Sequence, residues 1–240
     1  MVDATSQQFR NALLAGLTPS QLARLAAGLE PVALPVRLVL ERPSEPIEHV
    51  HFPSSGVASV VAIGPDGQRI EAGLFGRDGM SGLSLVLGDD RSPHEMMVQV
   101  EGTGHRIEAE ALREAMTAEP AIRERFLRYG QAFAIQVAHT TLANGRHSIQ
   151  PRLARWLLMC HDRVDGHQFD LTHDFMALML GVRRAGVTVA VHELEGHGFI
   201  KATRGRVRVL DRDGLATLAQ GIYGVPEAEY ARLLDGGGPQ

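Results

Sequence analysis

Arg183, Arg184, Thr188 and His192 recur at helical spacing directly after the Leu180-Gly181-Val182 break. Residues three and four apart on a helix lie on one face, and a guanidinium on such a face can fork to guanine O6 and N7 or to a phosphate. A second basic cluster follows, with Lys201, Arg204, Arg206 and Arg208 in two short alternating runs around Arg204-Gly205. Elsewhere, His49-Val50-His51 would set two imidazoles on one face of a strand, as a metal site in a cupin barrel requires. The following run from Phe52 to Val57 supplies no carboxylate, so no metal is assigned, and a cupin-like metal-binding enzyme or a protein-interaction module without DNA binding stand only as alternatives. The single cysteine, Cys160, excludes an intrachain disulfide, a cysteine-held iron–sulfur cluster and a four-cysteine zinc site. It sits beside Trp156, Leu157 and Leu158 in a helical pattern and is expected to pack. Eleven histidines leave a haem ligand conceivable without selecting one. No Ser-His-Asp set, phosphate loop or carboxylate pair stands at a working spacing. No catalytic activity and no cofactor are expected.

These groups need elements to hold them. The chain has 240 residues, 44% apolar and 22% charged, a globular mixture far from that of disordered chains. Its longest apolar runs break within a few residues, whereas a spanning helix needs about 20, so no membrane partner is expected. Met1 to Gln8 has neither the basic nor the apolar region of an export signal, which points to the cytoplasm. Charge is uneven: residues 1–149 hold 13 arginines against 17 acids, residues 150–212 hold 10 basic residues against 7 acids, and residues 213–240 hold 1 against 4. A locally basic segment in an acidic chain can meet a polyanion.

Thr18-Pro19-Ser20-Gln21 has the form of a capping box with proline at the first helical position. Prolines 31, 35, 43, 46 and 53 then exclude long helices, and Gly64-Pro65-Asp66-Gly67 joins residues 57–63 to 68–75 as a hairpin. Six to eight short strands between about 32 and 108 predict a small antiparallel barrel or roll. From Glu108 the period changes to that of helices at 109–116 and 121–142. Ile122, Phe126, Tyr129, Phe133 and Val137 make one apolar stripe on the second. Such a stripe packs either on its own roll or against a second copy, and the reading taken is the second, a dimer interface. Asn144-Gly145-Arg146 is expected to break the pattern and give a hinge and domain boundary near residues 144–150. The glycine-rich tail from 236 is expected to be a flexible end.

After a helix at about 150–164, Thr172 caps the run Phe175 to Leu180, Gly181 makes a sharp turn, and a second helix runs from about 183 to 195. Ala177, Gly181 and Val187 have the spacing of a helix-turn-helix, and the two strands around Arg204-Gly205 read as a wing.

With these motifs, the chain resembles the Crp/Fnr family of bacterial transcription regulators over essentially its full length. The resemblance rests on the β-pattern, the glycine-rich segment Gly73 to Gly82, the long helix, Arg152 to Leu158, and the winged helix-turn-helix. It implies an α+β fold: an N-terminal antiparallel β-roll like a cyclic-nucleotide-binding domain, a long dimerisation helix and a C-terminal winged helix-turn-helix. The expected divisions are residues 1–120, 121–146 and 147–240. It further implies a homodimer on double-stranded, palindromic operator DNA, with RNA polymerase as a further partner and a small-molecule effector in the roll. Base reading falls to Arg183, Arg184 and Thr188, with His192 on the same face, and phosphate contacts to Thr172, His173, Arg204 and Arg206. The effector pocket would use Gly82, Leu83, Ser84, Arg91 and His94. Cyclic-nucleotide members carry a glutamate where Leu83 stands and an arginine near His94. A leucine cannot pair a ribose hydroxyl, and an unpaired hydroxyl is costly, so cyclic AMP is not the expected effector. The family's arginine-glutamate pair becomes Arg184-Ala185 here, and a further base-reading arginine becomes Val189.

Overall fold

The computed structural model describes residues 9–219 and 221–235; the readings of Met1 to Gln8 and of the tail from 236 lie outside them. Two short helices open the chain, α1 (Ala12–Ala15) and α2 (Pro19–Ala26). The predicted capping box at α2 is formed, with the Thr18 hydroxyl accepting the Gln21 N–H and the Gln21 side chain accepting the Thr18 N–H. Seven strands follow: β1 (Glu30–Leu34), β2 (Val39–Glu41), β3 (His49–Pro53), β4 (Val57–Ile63), β5 (Arg69–Phe75), β6 (Glu95–Val100) and β7 (Gly102–Glu108). Helix α3 (Leu83–Leu87) lies between β5 and β6. They form two antiparallel sheets, β1-β7-β3 and β2-β6-β4-β5. The β4–β5 hairpin closes through Gly64-Pro65-Asp66-Gly67 as the turn residues predict, with Gly67 at φ 77°.

Helices α4 (Ala109–Ala118) and α5 (Pro120–Arg146) leave the roll. Helix α5 runs on through Asn144 and Gly145 to Arg146, and the break follows at His147 and Ser148, inside the boundary expected near 144–150. Arg152 donates to the Asn144 side chain at 2.9 Å and Ala143 is buried, so side-chain packing outweighs the local breaker signal. Next come α6 (Ile149–His161), β8 (Gln168–Asp170), α7 (His173–Leu180), α8 (Arg184–Gly196), β9 (Ile200–Thr203), β10 (Arg206–Val209), α9 (Arg212–Leu218) and α10 (Val225–Leu234). Strands β8-β10-β9 form a third small sheet. Among the described residues no single helix is long and apolar enough to cross a membrane.

One core joins α1, α2, β3, β7 and α4 to α5 through Leu13, Phe52, Ile107, Leu112, Ile122, Phe126 and Tyr129. This corrects the expected dimer stripe. Ile122, Phe126 and Tyr129 are buried within their own protomer, where each large side chain contributes roughly 1.5–3 kcal/mol. Phe133 is half-buried against the roll at Gly73, and Val137 is half-buried. The apolar residues that α5 leaves outward are Leu127 and Leu142, 39% and 47% exposed, with Ala134 and Ala138 between them.

A second core runs across the two halves of the chain. Val57, Val61, Leu74 and Val100 of the roll pack with Leu153, Trp156, Leu157, Met176, Val187 and Leu194. Cys160 lies in it, fully buried, with its thiol pushed well up by burial.

Candidate nucleic-acid interface

Thr172 takes extended backbone and its hydroxyl accepts the Phe175 N–H at 3.2 Å, which starts α7. Gly181 ends that helix at φ 61°, a left-handed conformation that glycine adopts without strain. A side chain there would also come within 2.8 Å of Ile70 on β5, so the turn needs glycine twice over. Helices α7 and α8 meet at 107°, within the range of a helix-turn-helix. Val187, Ala190, Val191 and Leu194 lock α8 onto the core.

The opposite face of α8 is open. Arg183, the N-cap, is exposed, and Arg184 reaches Asp174 at 3.4 Å with both side chains largely in solvent. Such a pair is worth little to stability, which leaves the guanidinium available. His192 is exposed, 3.7 Å from Glu195. Thr188 is more engaged than expected: its hydroxyl donates to the Arg184 carbonyl at 3.2 Å and stands 3.1 Å from His173 Nδ1. These two residues, assigned to base and phosphate, hold each other in place. Between them and His192 stands Val189, 56% exposed. The sequence reading treated Val189 only as a lost arginine. The signal that could have found it is its i+4 spacing from Ala185 on the outer face.

The wing is formed by β9 and β10, joined by Arg204 and Gly205 at φ 44° and 79°, the two left-handed residues of a tight hairpin turn. Lys201, Arg204, Arg206 and Arg208 are exposed on it. Arg206 is paired with Asp170 at 3.0 Å. No ion pair ties Arg204 among the described residues.

The roll touches this unit through polar contacts as well as the shared core. Glu71 on β5 is buried and accepts from Trp156 Nε1 at 2.8 Å, from Gln99 Nε2 at 3.0 Å and from the Ser59 hydroxyl. Burial pushes its carboxyl up to about 7, against the lowering effect of the Ser59 and Trp156 bonds and of Arg155 and Arg163. Gln99 Nε2 also lies 2.6 Å from Met179 Sδ on α7. Arg163, buried after α6, clamps Asp78 of the roll at 2.5 and 2.9 Å. The Trp156–Glu71, Gln99–Met179 and Arg163–Asp78 contacts join residues 80 to 85 positions apart, and nothing in the local pattern announces them.

The five residues expected to form an effector pocket do not converge. Gly82 sits at φ 73° with its N–H on the Glu41 carboxylate, and a side chain there would meet Val50 at 2.4 Å. Leu83 points at Gly130 of α5. Arg91 bonds Asp90 in solvent, and the His94 N–H donates to Ser92 at 3.1 Å. Ser84 lies in α3, half-buried. Phe133 and Gln136 of α5 pack onto β5 at Gly73, and Gln136 Oε1 accepts the Leu74 N–H at 2.8 Å. His49 and His51 do line one cavity, but among the described residues no group of three or more histidine, cysteine or acidic side chains could hold a metal.

A capped helix, a glycine turn, a second helix with an exposed basic face and a basic wing, all set on a β-roll, define a DNA-binding transcription regulator. Residues 151–218 match the Crp-like helix-turn-helix domain. The chain is 25% identical over 219 residues to a CRP-like cAMP-activated global transcriptional regulator of Mycobacterium tuberculosis, covering 88% of this chain and 97% of that one. Among solved structures it shares its fold with FixK2 from Bradyrhizobium japonicum. That match has a TM-score of 0.68 at 15% identity and covers 79% of this chain and 96% of the other. It also shares it with the c-di-GMP responsive global regulator CLP of Xanthomonas campestris, with a TM-score of 0.62 at 18% identity, covering 80% and 99%. Residues 151–218 thus carry a Crp-like helix-turn-helix, and the chain as a whole is similar to Crp-like transcription regulators.

Proposed function

We propose that the protein binds palindromic operator DNA in the cytoplasm as a homodimer and recruits or blocks RNA polymerase there. The observation that carries the reading is the outer face of α8, where Arg183, Arg184, Val189 and His192 stand exposed beside a basic wing. Arg183 and Arg184 read guanine, Val189 packs on a thymine methyl, and Thr188 contributes through its hydroxyl once His173 yields it. Thr172, His173, Arg204 and Arg206 meet phosphate, which positions the helix without reading sequence.

The dimer forms along the outward stripe of α5, Leu127, Ala134, Ala138 and Leu142, in place of the inward residues named from the sequence. Small side chains at 134 and 138 allow close approach of two helices, each about 40 Å long at 1.5 Å per residue. Two α8 helices then reach half-sites about one duplex turn apart. The divisions adopted are residues 1–120, 121–146 and 147–240, with α5 as the link.

Cyclic AMP is not the effector on this reading. Leu83 supplies no acceptor for a ribose hydroxyl. The test is binding to fragments of the gene's upstream DNA at several salt concentrations, with and without cyclic AMP and cyclic di-GMP. Tight, palindrome-specific and salt-dependent binding without nucleotide is expected. Absence of salt-dependent DNA binding overturns the reading, and binding only with a nucleotide overturns its effector part.

A further inference from the structure

Tyr129, Ala132, Phe133 and Gln136 stand at i, i+3, i+4 and i+7 on one face of α5 and form the floor of a cleft of about 400 Å³. The roll borders it with Leu74 and Asp78, the segment after α6 with Arg163, and the C-terminal helix α10 with Tyr230, preceded by Tyr223. The cleft therefore touches the roll, the long helix, the helix-turn-helix half and the last helix at once. Its volume and its place where separate parts of the fold meet are those of small-molecule sites. None of the residues expected to form the effector pocket lines it.

The chain has three tyrosines, and all three line this cleft. Each ring is fixed through its hydroxyl: Tyr129 donates to the Met80 carbonyl at 3.3 Å, Tyr230 to the Asp78 carbonyl at 2.7 Å and Tyr223 to the Asp162 carboxylate at 2.8 Å. Phe133 lies beside Tyr129, with ring centroids 6.2 Å apart. Ala132, next to both on the floor, is the small side chain that keeps the space open. Rings held in this way offer stacking and edge contacts to another flat aromatic body.

Gln136 adds a polar group of fixed direction. It is only 8% exposed, and its amide is oriented by the Leu74 N–H, which requires the oxygen as acceptor and takes Oε1 at 2.8 Å. The amide nitrogen then carries two hydrogens with no partner among the described residues. Nε2 is not one of the sealed, unpartnered side-chain atoms, so it keeps accessible surface, and the space that Gln136 lines is the cleft. An amide donor withdrawn from water without an acceptor is costly. An acceptor on a molecule in the cleft removes that cost.

The inner ions of the cleft are already engaged. Arg163 clamps Asp78 at 2.5 and 2.9 Å, Asp162 is held by Arg212 at 2.6 Å, and Glu227 caps α10 through the Gly224 N–H at 2.8 Å. Arg10 and Arg77 stand towards solvent around Asp165, where water screens them. An ion brought onto the aromatic floor would shed its water without gaining a counter-ion.

We propose that this cleft binds a neutral, flat aromatic molecule that carries a carbonyl or ring-nitrogen acceptor. The acceptor takes a hydrogen of Gln136 Nε2, and the rings lie among Tyr129, Phe133 and Tyr230. Because its walls come from the roll and from the segments on either side of the helix-turn-helix, the bound molecule braces one half of the chain against the other.

Ligand-observed NMR titration of the full-length protein at pH 8 tests this with coumarin and quinoline. Naphthalene has the same shape without an acceptor, and 2-naphthoate the same shape with a charge. Coumarin and quinoline are expected to bind about fivefold or more tightly than naphthalene, the scale of one neutral hydrogen bond, and 2-naphthoate not to bind. Gln136→Glu keeps an oxygen for the Leu74 N–H and replaces the amide donor by a carboxylate oxygen; it is expected to bring coumarin and quinoline down to the level of naphthalene. Ala132→Phe, which fills the floor and leaves Gln136 in place, is expected to abolish binding of all three. Failure of coumarin and quinoline to bind, equal binding of naphthalene or 2-naphthoate, or unchanged binding in a folded Gln136→Glu or Ala132→Phe variant overturns the proposal. If Ala132→Phe does not fold, Gln136→Glu and the ligand comparison on the unaltered protein decide. Operator binding is measured separately, so loss of that reading leaves this result standing.

Discussion

Trp156 of α6 donates its indole N–H to Glu71 of the roll at 2.8 Å, joining the helix-turn-helix half of the chain to the β-roll. Both residues are buried, and with Gln99, Ser59 and Met179 they fix where α7 sits against β5. The bond is the polar centre of a joint whose surroundings are apolar.

That joint makes stability depend on pH. The Glu71 carboxyl is raised from 4.5 to about 7 when buried, so the folded protein holds this proton more tightly than the unfolded chain does. The stabilisation is fully present below about pH 4.5 and is lost as pH rises through 7. At about 1.4 kcal/mol per pH unit, the loss is on the order of 3 kcal/mol. Glu41 is raised to about 7 as well and acts in the same direction. Denaturant unfolding at pH 5 and pH 8 is expected to show lower stability at pH 8, with Glu71→Gln removing about half of the difference. An unchanged difference in that variant assigns the titration elsewhere.

Operator contacts divide by their response to salt. Arg184→Ala is expected to lose about 1–3 kcal/mol on the cognate site and little on random DNA. Arg204→Ala is expected to weaken both alike and to lower the salt dependence by about 0.9 in log–log slope. Electrophoretic mobility shifts over a salt series distinguish them; equal losses on both DNAs for Arg184→Ala remove it from base reading.

Val189 gives a prediction at the level of a single methyl group. Replacing the contacted thymine by uracil, or Val189 by alanine, is expected to weaken binding by similar amounts, and the two changes together by little more than either. Fully additive losses place Val189 away from the thymine.

On α5 the two faces are expected to behave differently. Ala138→Glu, on the outward stripe, should yield a folded monomer by sedimentation. Phe126→Ala, fully buried in the protomer, should cost about 3–5 kcal/mol of stability. A dimer that survives Ala138→Glu moves the interface off this stripe.

The elements that punctuate the chain were readable because their signals are local. The Thr18 box, the Thr172 cap, the Gly181 turn and the Arg204-Gly205 wing tip each depend on two to four adjacent residues, and each is formed. The face of α5 was not readable in this way. Its strongest apolar stripe says that Ile122, Phe126 and Tyr129 are buried and leaves open by what, and their partners Leu13, Phe52 and Leu112 belong to distant segments. The same holds for Glu41, which meets Gly82 only once the roll has closed.

The core shared by Val57, Val61, Leu74 and Val100 with Trp156, Leu157 and Met176 separates two ideas of a module. Residues 151–218 match a family model of their own, yet the core they pack around is shared with the roll. Severed at His147, the C-terminal half would keep its recognition helix and lose the apolar cover of Leu157 together with the acceptor of the Trp156 indole. The DNA-binding half of this protein is completed by its β-roll, so the two halves can exchange sequence freely between relatives only where this seam is inherited with them.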